Sequence, residues 1–598
     1  MAPSSLKSTP ATMGIYTARD IRKGDLILAA PDGPSITLFT DRFRAYSPRF
    51  PSKRWTSLWG EYAWGRGRGV PDHIHYEASS IMEFQITTGA LPNHHCLLHS
   101  LSYRFPDPAY DDSLVDHGAS PGTGAFSYNR GRDAFVNRDV KAGEELFLNY
   151  GRCRHDTHPA WAEGLPMPVD FRAAVAFMAE VYTNTSNSQI DAEHYKIRPP
   201  AAMDVLAAGI LPKTLRELRD TMDKNFTTPE LIRTLARKTG INQRTPKWLR
   251  ENGRCLEHLV PGMSQLANAG HGGIAQHFIA EGDIVVPAPV IHLMDRHVLE
   301  MNDENGRKVG DQLLLNYCFG HRDSTLLLCP NTNAILINHC SHRSNQNCAP
   351  NAVVRWSNGW DATSDAWRKM SLHDLAQQPF RGLDMEIVAL RDIAPGEEVF
   401  LDYGLDWENA WNAHVRNWKP SEPVLSAKEA NEFDFPPDFL LVEDLRDDAQ
   451  HPHLFAGCRY WETEEDEEKM WRQKDPDWKS RSDHEILKTY AKDGSIFVGD
   501  YSEKHDKKYW PCLIYSPKTT QERKSGLFTV RILQQHFGSD HTNWDINHLP
   551  RILTSYPRKS IHFFVRRGES DQTKPGVFRH FIGMPDDAFP QHWKNLAA

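Results

Sequence analysis

Several things are scarce or missing in this 598-residue chain, and each absence removes a class of explanation. No apolar run comes near the ~20 residues that a bilayer-spanning helix needs, so no membrane association is expected. The opening Met-Ala-Pro-Ser-Ser-Leu-Lys-Ser-Thr-Pro has no apolar centre of the kind a signal peptide carries. Cytoplasm or nucleus is the expected address, although strand-like sequence already begins at Gly14 to Tyr16 and leaves room for a targeting segment upstream of Met1. The nine cysteines include no Cys-x-x-Cys pair, which argues against a zinc ribbon or a thioredoxin-like redox pair. Scattered as they are, they are expected to be mostly reduced thiols, and no residue set is assigned to a metal. Positive charge is short as well: a net charge of -9 argues against coating nucleic acid by bulk charge, so direct nucleic-acid binding is not expected.

What is present is an ordinary globular composition, 40% hydrophobic and 25% charged, which excludes a wholly disordered chain, a collagen and a coiled coil. At ~150 residues per unit the length implies roughly four units.

Self-comparison is the most informative step. Ala18-Arg-Asp-Ile-Arg-Lys-Gly24-Asp-Leu-Ile-Leu has a counterpart in Gln276-His-Phe-Ile-Ala-Glu-Gly282-Asp-Ile-Val-Val, and Arg138-Asp-Val-Lys-Ala-Gly143-Glu-Glu-Leu-Phe-Leu-Asn-Tyr150-Gly returns as Arg391-Asp-Ile-Ala-Pro-Gly396-Glu-Glu-Val-Phe-Leu-Asp-Tyr403-Gly. Gly24 and Gly143 are 119 positions apart, Gly282 and Gly396 are 114 apart, so spacing is shared as well as wording. Each element is a charged turn leading into alternating apolar residues, the period-two pattern of a half-buried strand. Two homologous β units follow from this.

Between them, Phe171 to Tyr182, Val205 to Met222 and Pro229 to Lys238 carry apolar residues at helical spacing and form a helical linker, whose many Lys and Arg side chains read as a solvated face. Past residue 420 an acidic run, Glu462 to Glu468, lies among Trp461, Trp471 and Trp478. Short β-like strings after it suggest a small barrel, in which Tyr501, Trp510 and Tyr515 would be core residues or a cage for a methylated ammonium.

The repeat resembles the SET domain of protein lysine methyltransferases. In the second copy Gly270-His-Gly272 matches the Gly-x-Gly near the first strand, Asn338-His339 with Pro350-Asn351 matches the Asn-His and Pro-Asn segments, and Glu397-Glu-Val-Phe-Leu-Asp402-Tyr403 matches the close. The whole chain is similar to two-SET proteins of algae such as diatoms. The resemblance implies a mainly β fold with some α: two SET-like β-clip domains joined by a helical linker, plus a small C-terminal β-barrel-like domain. The boundaries it suggests are a flexible 1–12, a degenerate SET-like 13–151, a linker 152–264, a candidate active SET domain 265–410, an acidic and Trp-rich connector 411–490 and a β-rich 491–598.

It also implies S-adenosyl-L-methionine as methyl donor and, as partner, a protein substrate with a target lysine, histone or non-histone. Gly270, Gly272, Asn338, His339 and Tyr403 would bind the donor, while Tyr403 and Tyr317 would be the catalytic aromatics beside the lysine. Methyl transfer from a sulfonium is an in-line displacement, so positioning and desolvation matter more than a nucleophilic side chain. Gly-x-Gly brings backbone close, and Asn and His offer donors and acceptors. The alternative is a non-catalytic tandem-SET interaction protein or a reader of methyl-lysine. Departures from the family pattern are visible: ten residues separate His339 from Pro350, where three are usual, Thr12 replaces the first glycine of the earlier copy, and Asn149 replaces the acidic residue before Tyr150. The first copy, with Asn93-His94 and no Pro-Asn, is expected to be structural or regulatory. No cysteine cluster follows Gly404, so Trp407 to Trp418 is the candidate cover for the site.

Overall fold

A computed structural model describes residues 1–6, 13–28, 35–39, 63–65, 81–85, 91–95, 98–104, 120–126, 133–149, 240, 242–420 (apart from 304, 344–347, 359–361 and 379–380), 427–432, 454–460, 508–515, 527–532, 551–565 and 576–596. The architecture there is mainly β, with few helices. The helices expected at 171–182, 205–222 and 229–238, the acidic run 462–468, and Tyr150 and Tyr501 lie outside the described residues, as do the side chains of Trp510 and Tyr515.

The duplicated wording folds as a duplicated sheet. In the first half Ala2–Pro3, Met13–Tyr16, Glu145–Leu148 and Asn93–His94 lie side by side in that order; in the second, Leu259–Met263, His271–Ala275, Glu398–Leu401 and Asn338–His339 do the same. In both sheets the last pairing is parallel and the others antiparallel. A second layer also recurs: Leu26–Leu28, Asp133–Val136 and Leu101–Arg104 repeat the order of Ile284–Leu293, Arg381–Ala389 and Ala352–Trp356. The turn glycines Gly24, Gly143, Gly282 and Gly396 all have positive φ, a conformation in which a side chain is strained, which is why the same Lys/Glu-Gly-Asp and Gly-Glu-Glu wording survives in both halves.

The second half extends this layer to six strands, with Leu327–Pro330, Phe319–Gly320 and Ile582–Gly583 added beyond Ile284–Leu293. Pro287 and Pro289 would be out of place in the middle of a sheet. They are tolerated because they pair only with Arg381–Ala389, and the ladder to Leu327–Pro330 starts at Val290.

Two findings differ from the sequence expectation. Residues 582–593, assigned by sequence to the C-terminal unit, return to the second half: Ile582–Gly583 pairs in parallel with Phe319–Gly320, and Ile582, Met584, Phe589 and the fully buried Trp593 complete its core. A partner more than 250 residues away leaves no local pattern to read. Six of the nine cysteines are paired rather than reduced, as Cys318–Cys329, Cys340–Cys348 and Cys458–Cys512, while Cys255 is free. Tertiary folding brings them together across separations of up to 54 residues, which no short motif reports. The C-terminal strands Arg551–Pro557, Leu527–Ile532, Lys508–Tyr515, Leu454–Tyr460 and Ile561–Val565 form one antiparallel sheet in that order. No helix among the described residues is long and apolar enough to cross a membrane.

Candidate functional site

The site grows from the parallel pairing of Asn338–His339 with Phe400–Leu401, which sets the Asn-His segment beside the chain leading to Tyr403. Asn338 thereby holds the sheet position. Cys340 continues the pairing through its N–H to Leu401 O at 2.9 Å, and Asn351 returns from the far side of the loop to receive the Phe400 N–H at 2.7 Å and donate to Glu398 O at 2.9 Å. Cys340 and Cys348 are bonded to each other across the insertion, and its first residues are anchored by Ser341 Oγ on Glu408 at 2.8 Å and Arg343 on Glu408 at 3.1 Å and Asp402 at 2.6 Å.

His339 is the most informative side chain. Its Nδ1 accepts the Tyr403 N–H at 3.0 Å, so in the neutral ring the proton sits on Nε2. That Nε2 is buried without a hydrogen-bond partner, and the Glu408 carboxylate stands 3.9 Å away. Desolvation lowers the His339 pKa below the ordinary histidine value, with Asp402 and Glu408 opposing in part. A buried orphan donor costs free energy unless something fills it.

Tyr403 is buried, and its hydroxyl donates to the Ile337 carbonyl, one residue before Asn338. Burial raises its pKa and the neighbouring Tyr317 adds to that, so the two predicted aromatics lie within electrostatic range of each other and Tyr403 is a neutral phenol. Trp407 stands over this pair of motifs, 4.7 Å from the His339 ring and 5.0 Å from the Tyr403 ring, and continues into Trp411, Phe578 and His414. The helix Leu405–Asn417 thus covers the site where the sequence offered Trp407 to Trp418 for that purpose.

The glycines and Asn338 face protein atoms. A Cβ on Gly272 would meet the Glu398 carboxylate at 2.2 Å and the Asn338 amide at 3.2 Å, and one on Gly270 would meet the Phe126 ring at 2.9 Å. The Asn338 amide donates to His271 O at 2.9 Å and to Glu398 at 3.1 Å. Sequence reasoning assigned Glu398 no role in the site. It is 1% exposed and accepts from Ser264 Oγ and the Gln265 N–H, both at 2.7 Å, as well as from Asn338. The signal that could have found it is the recurrence of Glu145 in the first copy. Among the described residues no group of three or more His, Cys, Asp or Glu could hold a metal.

A family model described as the SET domain matches residues 270–404, so this part of the chain is a SET domain. No curated protein matches. Among solved structures, similarity extends to a Plasmodium falciparum protein named as a candidate histone methyltransferase, at 19% identity over 26% of this chain and 99% of that one, TM-score 0.17. It extends to the Cryptosporidium SET8 protein at 13% identity over 40% and 98%, TM-score 0.15. It also reaches a PRC2 in an autoinhibited conformation bound to S-adenosylmethionine, at 19% identity over 25% and 15%, TM-score 0.18.

Proposed function

We propose that the chain is an S-adenosylmethionine-dependent protein lysine N-methyltransferase acting through its second half, with a lysine-bearing protein, histone or otherwise, as substrate. The observation that carries this reading is the buried His339 Nε2–H, left without a partner inside the matched domain and beside Tyr403. When bound, the donor supplies an electrophilic methyl sulfonium; the chain supplies the setting. His339 and the Trp407 face would hold the donor's polar and aromatic parts, while the backbone at Gly270 and Gly272 and the anchored Asn338 keep the strand edges in register. Tyr403 and Tyr317 would line the approach of the amine. A lysine is normally protonated, with a pKa near ~10.4, so the dry aromatic surroundings favour the neutral, nucleophilic form.

Calorimetric titration of the full chain with S-adenosylhomocysteine tests this. Wild type is expected to bind, and His339→Phe about tenfold more weakly, the worth of one buried hydrogen bond. No heat with wild type overturns the reading. The rival, a non-catalytic interaction protein, is favoured by Phe126, which lies over the Gly270 face that a donor would approach; it predicts that null titration.

The first half is read as a second, degenerate SET-like copy with a structural or regulatory role. Its support is the shared strand order and the carboxylate of Glu145 at the position matching Glu398. The barrel reading of the C-terminal unit is supported by its two outermost strands being joined through only Arg558–Ser560. The expected cytoplasmic or nuclear address would keep thiols reduced, whereas three paired sets favour an oxidising surrounding. Counting thiols in denatured protein trapped directly from its native cell decides between them: at most three of the nine cysteines react if the pairs form in place.

A further inference from the structure

A short turn of the first half, Ser120-Pro-Gly-Thr-Gly-Ala-Phe126, is seated on the second half next to the candidate site, with Gly122 to Ala125 buried. The contacts have a consistent chemistry. Three side chains of the second half donate to three main-chain carbonyls of the turn: His414 Nε2 faces Pro121 O at 2.9 Å, Arg579 Nη1 reaches Gly124 O at 2.6 Å, and Asn316 Nδ2 reaches Ala125 O at 2.7 Å. Each donor is itself fixed. Asn316 also bonds Phe578 O and the His580 N–H, Arg579 also bonds Asp311 O, and the His414 ring leans on Trp411 and Phe578.

Such a surface recognises a peptide backbone and selects side chains only by size. A Cβ on Gly122 would come 2.6 Å from the Asn268 carbonyl, and Gly124 has φ +68, so the seated stretch must be small and glycine-rich. The seat is also directional: Asn316 precedes Tyr317, Phe578 touches Trp407, and Phe126 closes on Gly270. Trp407 in turn packs on His339 and Tyr403.

We propose that the groove between Asn316, His414 and Arg579 is a docking site for small-residue peptide segments, and that residues 120–126 are its internal occupant. The turn carries no lysine and so cannot itself accept a methyl group; while it occupies the groove, a protein substrate that docks by its backbone on the same donors must displace it. That exclusion rests on the methyltransferase reading above; the groove and its occupant do not.

The test uses the full chain and a fluorescein-labelled peptide of residues 118–128, read by fluorescence anisotropy. Gly122→Val, which forces a side chain against Asn268 O, is expected to expel the turn and bind the added peptide at least tenfold more tightly than wild type. Adding Asn316→Ala to it should weaken that binding about tenfold. Equal binding to wild type and Gly122→Val, or binding to neither, overturns the proposal. Ala125→Asp, which puts a charge into the buried stretch, serves as the second expelling variant should Gly122→Val not fold, with the same two outcomes. S-adenosylhomocysteine titration of the same proteins separates the two readings. Peptide binding without that heat keeps the groove and sinks the methyltransferase; that heat with equal peptide binding does the reverse.

Discussion

In the first half Glu145 accepts from Ser4 Oγ, the Ser5 N–H and Asn93 Nδ2, and in the second Glu398 accepts from Ser264 Oγ, the Gln265 N–H and Asn338 Nδ2, three matching donors, to which the first half adds Ser5 Oγ and the Tyr16 hydroxyl. Around that carboxylate the halves agree down to the Arg138–Glu144 and Arg391–Glu397 pairs. They diverge at the end of the sheet. From Asn93 to the residue that pairs with Phe147 O, Ser100, is seven positions; from Asn338 to its equivalent, Asn351, is thirteen, stapled by a disulfide. Histidine, present in both, is used differently. His94 Nδ1 faces the Leu148 carbonyl at 3.1 Å and so must carry the proton, whereas His339 Nδ1 accepts from Tyr403 and pushes the proton to the buried Nε2. The scaffold is held by one carboxylate; what distinguishes the candidate site is the loop and the tautomer beside it.

The largest effect should come from the shared element. Glu398→Ala removes the acceptor from three donors in a buried setting and should cost about 3 kcal/mol or more in urea unfolding. It should also abolish S-adenosylhomocysteine binding, while Glu145→Ala destabilises the first sheet and leaves that binding within about twofold. If both carboxylates affect binding equally, the halves are one functional unit and the comparison fails.

Next comes the staple. Cys348→Ser opens the loop that only the second half has, and by chain-entropy reasoning should cost about 2.5 kcal/mol. A variant that unfolds at the same urea midpoint as wild type would mean the anchors of Ser341 and Arg343 already hold the loop unaided. Smaller again is the exchange Asn351→Ser, which writes the first half's residue into the second. It shortens a side chain that is fully buried and bonds both Phe400 N and Glu398 O, for an expected loss of about 1–2 kcal/mol. Ser100→Asn, the reverse exchange, should gain nothing, because Ser100 Oγ sits 3.4 Å from the Phe147 N–H in a space built for the shorter residue.

How much of this was legible beforehand follows the same division. The repeated Gly-Glu-Glu wording fixed the turn, the strand and the Tyr403 segment, because a positive-φ glycine and a period-two strand are local properties. Asn338-His339 was legible as a pair, but its place in the sheet required the Phe400–Leu401 ladder. Glu398 hid because a buried carboxylate looks like an exposed one in sequence until its donors are known. The returning tail with Trp593 and the docking of Phe126 on Gly270 join residues far apart in sequence, and no periodicity encodes such meetings.

The smallest effect tests the histidine itself. Burial holds the His339 pKa below its unfolded value, so the unfolded chain takes up the proton first as pH falls. Stability contributed by the neutral ring is therefore complete above ~6.5, the ordinary histidine value, and drains away as pH drops toward the lower folded value. Urea midpoints of wild type should fall between pH 7 and pH 5, and His339→Phe should show a shallower fall over that interval. A His94→Phe protein run alongside shows whether the slope belongs to the second half. Should His339→Phe leave the wild-type slope untouched, the ring is not the buried neutral donor described here, and the difference between the two histidines loses its chemical meaning.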